Sequence, residues 1–441
     1  MANQLQNLRD QAAKLRRLAQ PYFFPYTEDN GWQFIGLLVS LLFCVAGIVL
    51  FLVTGLMNGL SWLLPELTGQ YLGGVQSSLA MLWSRGWGAA ISALFALGAV
   101  VFASVRGQLR HRRWLPWLFL GLIILMLLSV NGINAGITFI ARDLTNALIS
   151  KDGDASYRNL WVYGACFAVA LPIRSLQFYF TQKLSLFWRE WLSLSLVDDY
   201  LRDRAYYVLN PNDEAATNVD NPDQRISEDV RDFTAQALGF ALNIFDSILT
   251  FSLNILILYS VSEGLTFALL AYASAVSILM IVSGRKLVRL NNFQLRYEAD
   301  YRYGLVRVRD NAESIAFYAG EQQEAKEVTR RLVSVVENFN LLIIWEVLLR
   351  VLQRSSIYAS NFIPYLILAA PILAGEMDYG GFAQANVAYN LVEGSLFFIV
   401  YNIEALARFS ASINRLEGFQ SNISNLDPEE WSDFVPRVVS S

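Results

Sequence analysis

Val219–Val230 reads VDNPDQRISEDV, a polar, charged helix start set between hydrophobic runs that are each long enough to cross a bilayer. Such a start does nothing for a passive anchor. It suits a membrane domain whose helices are moved by an event in the water outside the lipid. Asn221 can cap the helix, Pro222 suits the first helical position, and Gln224 stands where a capping-box partner stands. Asp223 adds negative charge to the first turn, which the helix dipole favours. A helix therefore starts here in water and runs on through Phe240 into the membrane.

Composition agrees with that reading. Hydrophobic residues make up 54% of the 441-residue chain and charged residues 16%, where a soluble protein would carry about a quarter. The net charge of −4 decides little, because membrane proteins are read by where their charges lie. Cys44 and Cys166 both sit in hydrophobic runs, which leaves no disulfide framework and no zinc spacing, and His111 alone cannot build a metal site. The first thirty residues are polar and basic and do not read as a cleavable signal. With Leu5, Leu8, Ala12 and Leu15 on one side, the start fits an interfacial helix that fixes topology.

Hydropathy marks eight spans: Phe34–Leu56, Trp87–Val105, Trp114–Ile140, Leu160–Phe180, Phe240–Val261, Leu265–Val282, Tyr358–Leu373 and Phe382–Leu406. Pro364 and Pro371 interrupt the seventh, whose helix begins in water near Glu337, and Trp62–Leu82 fits a surface-lying segment. Arg9, Lys14, Arg16 and Arg17 precede the first span, and Arg106, Arg110, Arg112 and Arg113 follow the second. Lys183, Arg189, Arg202 and Arg204 follow the fourth, and Arg285, Lys286 and Arg289 the sixth. The alternate loops are poor in positive charge, so both termini are expected in the cytoplasm of a multi-pass protein of the cell (inner) membrane. Two excursions, Gln182–Gly239 and Gly284–Asn340, read as helical, with turns near Asn210–Pro222 and Asn311–Glu321. Long helical legs outside the lipid describe an all-α, exporter-type core of six membrane helices, preceded by two accessory spans.

Several segments resemble one family in its own order. They are ARDLTNALISKD (Ala141–Asp152), FWREW (Phe187–Trp191), RAYYVLN (Arg204–Asn210), DNPDQRISEDV (Asp220–Val230), EADYRYGLVRVRDNAESIAFYAGE (Glu298–Glu321) and INRLEGF (Ile413–Phe419). The chain resembles the membrane domain of the ABC transporter group that includes peroxisomal fatty-acyl-CoA transporters and the bacterial SbmA/BacA-type uptake proteins of peptides and cobalamin. The resemblance implies an exporter-type domain over residues 114–419, after a basic segment at 1–33 and two accessory helices at 34–113. It also implies a homodimer, a second copy of the chain completing the pathway. Coupling to the ATPase would fall on Asn221, Pro222, Asp223, Gln224, Arg225, Glu228 and Asp229, and on Asn311, Ala312, Glu313, Ser314 and Glu321. In fused relatives a nucleotide-binding domain follows where residues 420–441 form a tail. No GxxxxGK[ST] phosphate loop occurs, so ATP and magnesium are expected on a partner in trans or on a further domain beyond the C-terminus. The alternatives are a proton-driven transporter of the SbmA/BacA type and, behind it, a membrane scaffold that does not transport.

Polar residues inside spans are the other leads, because lipid penalises them unless they face a cavity or a partner. Asn386, Asn390, Glu393 and Glu404 follow one another at offsets of four, three and eleven, one face of a continuous helix. Asn131, Asn134, Thr138 and Arg142 form a second stripe, and Arg174 sits in the middle of the fourth span. Both stripes fit a water-filled pathway as well as they fit helix-to-helix hydrogen bonding, with Arg174 paired to a glutamate in the second case. Read alone, Asn311–Glu321 would be an ordinary amphipathic helix with Ile315, Ala316 and Tyr318 packed inward. No acid pair, triad or metal cluster stands out, so no catalytic or metal-binding residues are assigned, and no feature points to nucleic acid.

Overall fold

A computed structural model describes residues 2–24, 31–63, 92–93, 95–96, 98–100, 114–202, 205–208 and 221–424. Every regular element among them is a helix. In chain order these are α1 (Ala2–Phe23), α2 (Gly31–Leu63), α3 (Trp114–Ile149), α4 (Gly153–Leu201), α5 (Ala205–Val208), α6 (Pro222–Gln224), a π-helical turn at Arg225–Asp229 and α7 (Val230–Val261). Then come α8 (Glu263–Asp310), α9 (Ala312–Tyr318), α10 (Glu321–Leu373), α11 (Tyr379–Tyr401) and α12 (Ile403–Ser424). Among the described residues six stretches are long and apolar enough to cross a membrane: Gln33–Phe51 in α2, then α3, α4, Pro222–Val261, α8 and α10. The chain is an all-α membrane protein. Most of Trp62–Leu82 and of the second expected span, Trp87–Val105, and most of the Asn210–Pro222 turn, lie outside the described residues.

The long legs are present. Helices α4, α8 and α10 have 49, 48 and 53 residues. At about 1.5 Å per residue each runs roughly 70–80 Å, more than twice the ~30 Å of hydrocarbon it must cross. The expected interruption of the seventh span does not occur: α10 starts at Glu321 and passes through both Pro364 and Pro371 without a break. Membrane helices tolerate proline in their interior. Pro371 sits in the last turn, where its carbonyl accepts from Glu376 and Met377.

The described residues fall into two compact units. One comprises Met1–Ile137, Leu160–Leu249 and Asn402–Ser441. Its core gathers Leu18, Tyr22, Phe23 and Phe24 of the N-terminal segment with Trp117, Trp188, Leu192, Phe233, Phe409, Leu416 and Phe419. The indole of Trp117 donates to the Phe23 carbonyl (2.9 Å), and the Tyr22 ring stacks on Trp188 at 5.9 Å. Helix α1 is therefore not a free interfacial helix. Its C-terminal half is a structural part of the core, because three consecutive aromatic residues offer more apolar area than an interface would cover.

The other unit comprises Thr138–Asn159 and Thr250–Tyr401. Leu265 and Leu269 of α8, Leu368 of α10 and Ala385, Ala388, Tyr389 and Val392 of α11 form its core, the alanines letting α11 approach closely. Helices α8 and α10 run antiparallel, stapled at three levels. Asn338 donates to the Leu290 carbonyl (3.1 Å) and to Gln294 Oε1 (2.8 Å). Arg331 donates to the Asp300 carbonyl (2.9 Å), lying across Gly304, and nearest the tip Arg307 pairs with Glu324.

Helix α11 ends at Tyr401, and after Asn402 the chain enters α12. Glu393 lies in α11 and Glu404 in α12, so the expectation of one shared helical face is not tested among the described residues. The Glu404 side chain lies outside the described residues.

Candidate coupling site

The chain enters α6 at Asn221 in a left-handed backbone conformation (φ 50°, ψ 69°), and Pro222 follows at the first helical position, buried. The expected side-chain cap is absent. The Asn221 main-chain carbonyl instead accepts from the amides of Gln224 (3.1 Å) and Arg225 (3.2 Å). Asparagine tolerates this conformation better than most residues, which is the physical use of the position. Gln224 does not reach back as a capping box would; its amide points on to Glu228 Oε2 at 3.3 Å.

The turn that follows divides its residues by direction. Asp223, Gln224 and Glu228 face outward, while Asp229 is 5% exposed. Arg225 donates to Asp229 Oδ2 (2.7 Å). Arg415 of α12 closes on the same carboxylate in a fork, Nη2 to Oδ1 at 2.8 Å and Nε to Oδ2 at 3.0 Å. Donating to Asp229, and the charge of that carboxylate, push the Arg415 pKa above its ordinary value, although burial acts against this. Two guanidiniums on one carboxylate are the strong, directional kind of ion pair. The wide turn, in which the Val230 amide reaches back to the Arg225 carbonyl, is a form found most often at working sites.

The second tip is built differently. Asn311 ends α8, its side-chain amide donating to the Arg307 carbonyl (2.9 Å). Helix α9 spans Ala312–Tyr318, left-handed Ala319 (φ 52°) reverses the chain, and Gly320 leads to Glu321 at the start of α10. Asn311, Ala312, Glu313, Ser314 and Glu321 are all exposed. The inward packing of an ordinary amphipathic helix is not what the segment shows. Ala316 is exposed, Ile315 half-buried, and Phe317 and Tyr318 stand 84% and 80% exposed. Two aromatic rings held out at the charged end of a helical pair are a surface in need of cover.

The membrane polar residues separate into two groups. Asn131 is buried and donates to Asp246 Oδ1 (2.6 Å), while Arg174 Nη2 donates to Asp246 Oδ2 (3.1 Å) and its Nη1 to Gln177 (2.8 Å). The partner of Arg174 is thus an aspartate of α7, not a glutamate. Asp246 was not singled out in the sequence, although it is the one acid inside Phe240–Val261 and so carried a signal. Asn134 is half-buried, Thr138 fully buried, and Arg142 pairs with Asp143 (2.9 Å) and lies over the Phe139 ring. On α11, Asn386 and Glu393 are half-buried and Asn390 exposed, on a face turned away from buried Ala385, Ala388 and Val392. The Ser360 hydroxyl lies 2.8 Å from that of Tyr389.

Residues 108–373 match the family model described as ABC transporter transmembrane region 2. An uncharacterized ABC transporter ATP-binding protein of Synechocystis sp. is 41% identical over 96% of this chain and 64% of its own length. ABC transporter D family member 2, chloroplastic, of Arabidopsis thaliana is 33% identical over 72% of this chain and 45% of its own. The human lysosomal cobalamin transporter is 28% identical over 54% of this chain and 39% of its own. The chain thus spans between 39% and 64% of the length of these relatives.

Proposed function

This chain belongs to the ABC transporter transmembrane region 2 family, and on that premise we propose that it forms the membrane pathway of a transporter driven by an ATPase docked on its two charged tips. The ATPase, carrying ATP and magnesium, is supplied in trans or by a further domain of a longer chain. Two copies build one pathway, both termini and the tips lie in the cytoplasm, and the membrane is the cell (inner) membrane. The α11 stripe of Asn386, Asn390 and Glu393 lines the pathway, since lipid would penalise it.

The observation that carries the reading is the exposure of Phe317 and Tyr318 at the end of the α8–α10 pair. A proton-driven carrier has no use for an aromatic docking surface far outside the lipid. The Synechocystis relative supports the same view in a plainer way: it is named for ATP binding and is longer than the part this chain matches.

A photo-crosslinking residue placed at Phe317, and separately at Asp223, in the source membranes tests this. The expected product joins this chain to a phosphate-loop ATPase domain, and its yield changes when ATP and magnesium are added. Crosslinks only to lipid or to a second copy from both sites would sink the proposal.

A further inference from the structure

We propose that α1 is a brace that positions the Asp229 turn through α12, with Glu417 and Arg415 as the positioning residues. The N-terminal helix touches α12 along one side. Gln11 and Lys14 both donate to Asn414 Oδ1 at 3.0 Å, and Lys14 and Arg17 both pair with Glu417 at 3.3 Å. One helical turn below, Leu18, Tyr22 and Phe23 enter the same core as Leu416 and Phe419 of α12. The other side of α12 presents Arg415, whose fork holds Asp229. Charged contacts thus run without a gap from Arg17 to Glu417, across two residues of one helix to Arg415, and on to Asp229 and Arg225.

The division of labour follows from burial. Exposed ion pairs contribute little to stability, and Lys14 and Arg17 are partly exposed, so the aromatic residues supply the adhesion. The charges set register. Three polar side chains of α1 make four contacts with two acceptors of α12, which fixes the rotation of α12 about its axis. That rotation determines where the Arg415 fork points, and the fork determines where the π-helical turn sits. A basic N-terminal helix that fixed only topology would need no partners on a helix some 400 positions away.

The functional meaning of the brace rests on the coupling reading, but its existence does not, and backbone hydrogen exchange separates the two. The full chain in lipid nanodiscs carries Lys14→Glu with Arg17→Glu, which sets two acids against Glu417. Exchange in 403–424 and in 221–232 should rise roughly three- to tenfold, as a local opening does when its restraint is removed. Adding Glu417→Lys should restore the original rates. Arg415→Gln should loosen 221–232 while leaving α1 protected. Loosening confined to 2–24 in the double variant, or no recovery in the triple variant, overturns the proposal. A brace that passes this test while Phe317 meets no ATPase would refute the coupling reading alone.

Discussion

Replacing Asp229 by alanine will lower stability by about 2–3 kcal/mol and loosen the turn that Arg225 and Arg415 hold. The carboxylate is buried and is shared by Arg225, whose side chain is 14% exposed, and by the fork of Arg415. Its removal leaves two cations side by side with no anion between them. Arg415 is more exposed and regains some water, which places the cost near the low end for a broken buried pair. Thermal unfolding in detergent reads the loss. Asp229→Asn, which keeps the shape and loses the charge, should fall between the two. An unchanged midpoint in Asp229→Ala would show that the turn is held by its backbone alone.

The second large effect is expected at Gly380. Gly380, two residues into α11, lies against α3 so closely that a β-carbon there would sit 2.5 Å from the Arg142 carbonyl oxygen and 2.5 Å from the Asn146 side-chain nitrogen. Real contacts of that kind do not approach so near, and the carbonyl belongs to a helix that cannot yield. Gly380→Ala must push α11 away. That would break the bond from the Gly380 amide to Asn146 Oδ1 (2.8 Å) and the one from Asn146 to Asp378 (2.6 Å). Overpacking and two lost hydrogen bonds together should cost about 2–4 kcal/mol. Gly394 on the same helix has nothing within 4 Å of the same construction, so Gly394→Ala should be neutral or stabilising by up to ~1 kcal/mol. The two thermal midpoints should move apart; equal shifts would mean that the close approach does not exist.

Much of the architecture was legible because its causes are local. Apolar runs report spans, the charged halves of α8 and α10 report legs, and Asn311–Glu321 reports the tip between them. Pro222 at the first helical position follows from its missing amide hydrogen and fixed φ. What could not be read are choices made by partners distant in the chain. Nothing near Asp229 names Arg415 as its second cation, and nothing in the basic N-terminal segment tells a helix on lipid from one buried against Trp188. Pro364 and Pro371 look like breaks in a hydropathy window, yet α10 runs through both. Inward packing of Tyr318 was the default for an apolar residue at helical spacing, and its exposure departs from that default where a docking surface is proposed.

The central claim is that force enters through the two tips. Spin labels at Asp223 and Phe317, in the reconstituted chain with and without its ATPase, test it without knowledge of the cargo. With the ATPase present, ATP and magnesium should change the distance between the labels, and Arg225→Ala or Glu313→Ala should weaken the change. A proton gradient imposed on the chain alone should leave the distance as it was. Movement of the tips under the gradient alone, abolished by an uncoupler and indifferent to Arg225 and Glu313, would contradict the account and assign the chain to ion-driven transport.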